Sequence, residues 1–125
     1  MQSAGAPPTE QRVAQSTNQG ERFADKYYQS FGTVGRFYTD GSKVIWNGTP
    51  FLGADFKATV LPRLQKYYSR FEVAALDVHP LGDDAMVCVS GTVSAGGAKA
   101  QFSQQFVLRK ESGLSYIVSD SFRLV

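Results

Sequence analysis

The chain has 125 residues, 42% of them hydrophobic and 13% aromatic, enough for one packed core and too little for two. Thirteen basic against 11 acidic residues give a net charge of +2, too even for a dedicated nucleic-acid binder or an acidic tail. The single cysteine, Cys88, excludes an internal disulfide and a thiolate zinc cluster and suits a reducing compartment.

No run approaches the ~18 apolar residues of a membrane-crossing helix. Met1 to Pro8 lacks the basic and apolar regions of a secretory leader, so a soluble intracellular protein is expected. With Gly5, Pro7 and Pro8, residues 1–8 read as a flexible tail and 9–125 as the domain. All 16 aromatic residues lie at or after Phe23, so the first 20 residues offer a core little.

From Thr9, a candidate cap, residues Val13, Thr17, Gly20, Ala24, Tyr27, Tyr28 and Phe31 recur at helical spacing. Thr17 and Gly20 bury little, so the anchored part is expected over residues 21–31. Gly32 and Gly35 break this helix before a short turn through Phe37 and Tyr38, and Asp40-Gly41 is expected to turn the chain. Residues 43–46 and 49–52 then form a hairpin about Asn47-Gly48, a pair suited to positive φ. A second helix starts at Asp55 and carries Phe56, Val60, Leu61, Leu64 and Tyr67/Tyr68 on one side. Pro62 cannot donate a backbone hydrogen bond, so this helix is kinked or in two parts.

Four long strands follow, over residues 71–78, 85–94, 100–110 and 114–124, joined by short turns that give antiparallel meanders. The layout is α+β, with N-terminal helices packed on one face of a strongly bent antiparallel sheet. Alternation separates two faces. Phe102, Phe106 and Leu108, with Tyr116, Val118, Asp120, Phe122 and Leu124, point toward the helices. Gln101, Ser103, Gln105, Val107 and Arg109, with Ile117, Ser119, Ser121 and Arg123, point away. That second face is short of charge for a solvent surface, which suits burial against another protein. Cys88, between Val87 and Val89, reads as a small buried residue.

Several stretches resemble the nuclear transport factor 2-like family: residues 43–53 its hairpin, 76–80 its first long strand and turn, 102–106 and 119–124 its last two strands. With Tyr27-Tyr28 and Phe37-Tyr38, the likeness runs from about residue 10 to the end. Within the family, the chain is similar to the small subunits of messenger-RNA export receptors. The resemblance implies the cone-shaped fold of that family and a non-catalytic subunit without cofactor or metal. It further implies a sheet-to-sheet heterodimer with the large receptor subunit, support for phenylalanine-glycine nucleoporin binding, and shuttling between nucleus, pore and cytoplasm. Arg123 falls on the family's Phe-Arg pair, whose arginine meets a partner acid. Partner contacts are therefore expected at Gln101, Ser103, Gln105, Ile117, Ser119, Ser121 and Arg123.

Two alternatives stay open within the same fold. A homodimeric carrier of the small GTPase Ran has acids after the hairpin tryptophan and in the turn matching residues 93–98; here stand Asn47 and Ser94-Ala95-Gly96-Gly97. A pocket isomerase or dehydratase would draw on Tyr27, Tyr28, Asp40, Asp77, His79 or Asp120, with Asp120 the best-placed carboxylate. Lys57, Arg63, Lys66 and Arg70, interleaved with Tyr67 and Tyr68, form a candidate auxiliary RNA contact.

Overall fold

The computed structural model describes residues 8–125. The expected tail over 1–8 lies outside these, except Pro8, which opens the first helix, α1 (Pro8–Gln29). Proline suits a helix start, since the amide it lacks would have no partner there. A 3-10 helix (Phe31–Phe37) takes in both Gly32 and Gly35. Strands β1 (Tyr38–Trp46) and β2 (Thr49–Leu52) form the hairpin.

The second helical run, α2 (53–67), has three pieces: α over Gly53–Asp55, π over Phe56–Val60 and α over Leu61–Tyr67. The π turn lies immediately before Leu61-Pro62, where the proline removes a backbone donor, so the two-part expectation is met by a local widening. Then come β3 (Tyr68–Leu81), β4 (Asp84–Ala95), β5 (Ala98–Glu111) and β6 (Leu114–Leu124).

All six strands join one sheet in the order β2-β1-β6-β5-β4-β3. It is a mixed sheet. The hairpin and the long meander pair antiparallel, while β1 lies parallel to β6. Asp40-Gly41, expected as a turn, lies inside β1 as an irregularity in the pairing with β6 between Tyr38 and Lys43. Pro80, expected in a turn, stays in β3, an edge strand whose outer side needs no amide donor.

The helices cover one face, and the core between is largely aromatic. Phe106 meets Phe23 and Tyr27 with ring centroids 4.9 Å apart in each case, edge to face. Trp46 stacks on Phe122 at 4.0 Å and 9°. The N-terminal half of α1 is held by a feature the periodicity undervalued. A Cβ on Gly20 would stand 2.5 Å from a methyl of Val78, so only glycine lets the helix lie this close to β3 and β4. Ser16, one turn earlier, is also buried, whereas Val13 is exposed. The true stripe thus runs through Ser16, Gly20, Phe23, Ala24, Tyr27 and Tyr28.

Candidate functional site

Two places on the sheet concentrate polar chemistry. One is internal. Asp120 is buried and accepts hydrogen bonds from the Tyr38 hydroxyl (2.6 Å) and the Gln104 amide (2.9 Å). Tyr38 and Tyr27 share a hydrogen bond of 2.7 Å, and Tyr28 donates to Gln104 Oε1 at 2.7 Å. Every member has a partner, as buried polar groups require. Burial pushes the Asp120 carboxyl up to about 7, against the pull of its bonds from Tyr38 and Gln104. Burial likewise raises the hydroxyls of Tyr27, Tyr28 and Tyr38 well above their usual range.

This cluster has the makings of an acid-base site, and its members sit inside the packed core. Neither of the two clefts beside α1 is lined by Asp120, Tyr27 or Tyr38. Rings of Phe23, Phe31, Phe56, Phe102 and Phe106 occupy the same buried core. The other enzyme candidates are scattered: Asp40 is exposed beside Lys57 (3.8 Å), and Asp77 and His79 are exposed on the far side of β3. No three His, Cys, Asp or Glu side chains gather to hold a metal among the described residues.

The second place is the sheet face turned away from the helices. Strand register sets its rows: Met86–Val107–Ser119–Lys43, then Cys88–Gln105–Ser121–Ile45, then Ser90–Ser103–Arg123, then Thr92–Gln101. Its centre, from Cys88 and Ser90 through Gln105 and Ser103 to Ser121, carries no charge. Charged groups stand toward the rim, where Arg109 pairs with Asp84 at 3.2 Å and Lys99 with Glu72 at 3.5 Å. Ile45 is 44% exposed here. Small neutral side chains on a sheet let a second sheet approach closely.

Gln101, Ser103, Gln105, Ser121 and Arg123 are exposed on this face, and Ser119 is half-buried. Ile117 is not there. It is 1% exposed and pairs with Leu108 inside the core. The register of β5 on β6 slips between Val107 and Leu108, so Ser119 and Ile117 face consecutive residues and Val118 is extra. Such a bulge reverses the alternation beyond it. Tyr116, expected inside, accordingly pairs with Arg109 on the outer side. Cys88 is corrected too: Val87 and Val89 are buried, so the cysteine between them faces outward, half-buried beside Gln105.

Arg123 enters no ion pair among the described residues. Its neighbour Leu124 donates its amide to Asn47 Oδ1 (2.8 Å), and Asn47 Nδ2 reaches the Tyr68 hydroxyl (3.2 Å). The hairpin turn, with Asn47 at φ 49°, is thereby clipped onto β6 beside the arginine. Sequence reading saw Asn47 as a turn residue and missed this brace; the Asn-Gly pair signals φ, not a side-chain bond. The expected basic stripe is broken up. Arg63 and Lys66 are exposed on α2, Arg70 sits in β3 with φ 54°, and Lys57 turns back to the Tyr38 carbonyl (3.2 Å).

The fold agrees with what family comparison finds. The profile described as Nuclear transport factor 2 (NTF2) domain matches residues 19–124. The chain belongs to the NTF2 domain family. Among relatives of this NTF2 domain, human NTF2-related export protein 2 is 32% identical over 127 aligned residues, covering 89% of this chain and 88% of that protein. Rice nuclear transport factor 2 is 33% identical over 110 residues, covering 82% and 90%. The solved structure of nuclear transport factor 2 from Cryptosporidium parvum superposes with a TM-score of 0.74 at 28% identity, covering 98% of this chain and all of that one.

Proposed function

We propose that this NTF2 domain is the non-catalytic small subunit of a messenger-RNA export receptor, binding the NTF2-like domain of the large subunit sheet to sheet. The observation that carries it is the outer face: exposed, uncharged at its centre, and rimmed by Arg123, which is unpaired among the described residues. Relatives named NTF2-related export protein, from human, cattle and Caenorhabditis elegans, support the export reading at 30–32% identity. In this reading Arg123 meets a partner carboxylate, while Gln101, Ser103, Gln105, Ser119 and Ser121 fill the interface. The heterodimer assists phenylalanine-glycine nucleoporin binding, and the pair works at the nuclear pore, shuttling to the cytoplasm. Arg63, Lys66 and Arg70 add a salt-sensitive contact to RNA phosphates.

The homodimeric carrier is the second reading, because relatives named nuclear transport factor 2 reach similar identity. Chemistry argues against it. Where the carrier presents acids, this chain has Asn47 bonded to Leu124 and Tyr68 and an uncharged turn with Gly96 and Gly97 at φ 60° and 88°.

The test is a binding titration against the large subunit's NTF2-like domain. Arg123→Asp is expected to weaken association by about 2–5 kcal/mol, by setting two acids against each other in a desiccated site. Wild-type affinity in that variant would remove Arg123 from the interface. Light scattering that finds a symmetric dimer of the isolated chain, with no uptake of the large-subunit domain, would favour the carrier.

A further inference from the structure

A cavity of about 500 Å³ opens between α1, the 3-10 helix and the β5–β6 hairpin, away from the neutral sheet face. That volume falls within the range of small-molecule sites. Its walls carry four cations drawn from three elements: Arg22 and Lys26 of α1, Arg36 of the 3-10 helix and Lys110 of β5. No acid lines it, and none of the four joins an ion pair among the described residues. In a chain with 13 basic and 11 acidic residues, such separation is not a by-product of overall charge.

Helix α1 shows how the separation is built. Arg22 and Lys26 are four apart and share one stripe, facing this cavity. Glu21 and Asp25, also four apart, share the neighbouring stripe and line a different cleft with Phe71 and Leu76. The helix therefore turns its acids away from the cavity that its bases enter.

The cavity also has an apolar side. Phe23 and Phe37 meet edge to face at 5.1 Å and both line it. The Arg36 guanidinium lies over the Phe37 ring at 4.7 Å, holding its charge at the junction of the two surfaces. Gln19 Nε2 donates to Ser115 Oγ at 3.2 Å, tying α1 to the hairpin across one wall. Like charges converging on a concave apolar surface repel one another and focus a positive field, and an anion between them relieves both effects.

From this geometry we infer that the cavity is a binding site for a small phosphate monoester carrying an aromatic ring. The ring lies against Phe23 and Phe37, and the dianionic phosphate lies among Arg22, Lys26, Arg36 and Lys110. The site is independent of the sheet interface and of any partner placed there.

The probe is 1-naphthyl phosphate, titrated into the full chain by calorimetry and by amide NMR, with 1-naphthol and inorganic phosphate as its two halves. Saturable binding is expected, with shifts centred on Arg22, Phe37, Lys110 and Ser115. Each half should bind at least ~10-fold more weakly, and affinity should fall about 10-fold between 20 and 500 mM salt. Lys26→Glu with Arg36→Glu should abolish binding; the milder Lys26→Gln with Arg36→Gln should weaken it ~10-fold, which guards against a folding defect. Lys99→Glu, at the far end of β5 from Lys110, should leave it unchanged. Equal binding of 1-naphthol would reduce the site to an apolar crevice, and equal binding of inorganic phosphate would reduce it to a charge patch. Absence of saturation at 5 mM, or equal loss in the Lys99 variant, would also overturn the assignment.

Discussion

The two faces of β5 and β6 share one backbone and yet have opposite fates. On the inner face, Phe102, Gln104, Phe106 and Leu108 are at most 1% exposed, and Gln104 finds its partners in Tyr28 and Asp120. On the outer face, Gln101, Ser103 and Gln105 alternate with them and are exposed, as are Ser121 and Arg123 across the ladder. Period two lets neighbouring residues serve different ends. The inner set is committed to folding, with every polar group answered from within. The outer set contributes little to folding, and its polar groups are left for water or for a second protein.

The comparison is tested hardest at Phe106. It is fully buried between Phe23 and Tyr27 and pairs with Asp120 across the ladder. Phe106→Ala should cost about 3–5 kcal/mol of stability, from lost burial and the cavity left behind. Urea denaturation at neutral pH measures this. A loss below ~1 kcal/mol would mean the inner face is far looser than its ring packing implies.

A smaller effect is expected at Asp120. Its carboxyl titrates near 7 when folded and near ~4 when unfolded, so between those values the folded chain holds a proton the unfolded chain has lost. Stability is therefore full at the acidic end, falls as pH rises through that window, and levels off above it. From pH 5 to pH 8 the decline should be on the order of 2–3 kcal/mol. Asp120→Asn mimics the neutral acid, donating to Tyr38 while accepting from Gln104, and should flatten the profile. If the wild type is equally stable at both pH values and the Asn variant is weaker at each, Asp120 stays ionised and the internal network is bound more tightly than burial suggests.

The sequence made the strands of this comparison readable and left their phase partly hidden. Turn residues and alternation located the Asn47-Gly48 hairpin and the three long strands β4, β5 and β6 to within two residues or so. Asp120 was recognisable as inward-facing, and Tyr27 and Tyr28 of its network were among the pocket candidates, whereas Tyr38, the tyrosine that bonds it directly, was not. Ile117 was misplaced because Tyr116, Ile117 and Val118 are all apolar, so the bulge among them leaves no mark in a hydrophobic pattern. The parallel β1–β6 pairing joins residues some 75 positions apart, which local spacing does not encode. Gly20 reads as a gap in a helical stripe, and only the methyl of Val78 shows it to be a contact. Basic residues of the α1 cavity were likewise missed, since Arg22, Lys26, Arg36 and Lys110 converge only through the fold.

The smallest effect sharpens the comparison most. Gln105 stands at the centre of the outer face, between Cys88 and Ser121, and its side-chain amide donates to the sulfur of Met86 at 3.0 Å. Thioether sulfur is a weak acceptor, so the amide gains little from folding. Gln105→Ala should thus change the stability of the isolated chain by no more than ~0.5 kcal/mol, as for an ordinary surface position. One residue along the same strand, Phe106→Ala is expected to cost several times as much. Urea midpoints for the two variants, measured side by side, separate the faces directly. A loss above ~1 kcal/mol for Gln105→Ala would mean that the outer row is knitted into the fold, and its side chains would then be less free to serve a second polypeptide.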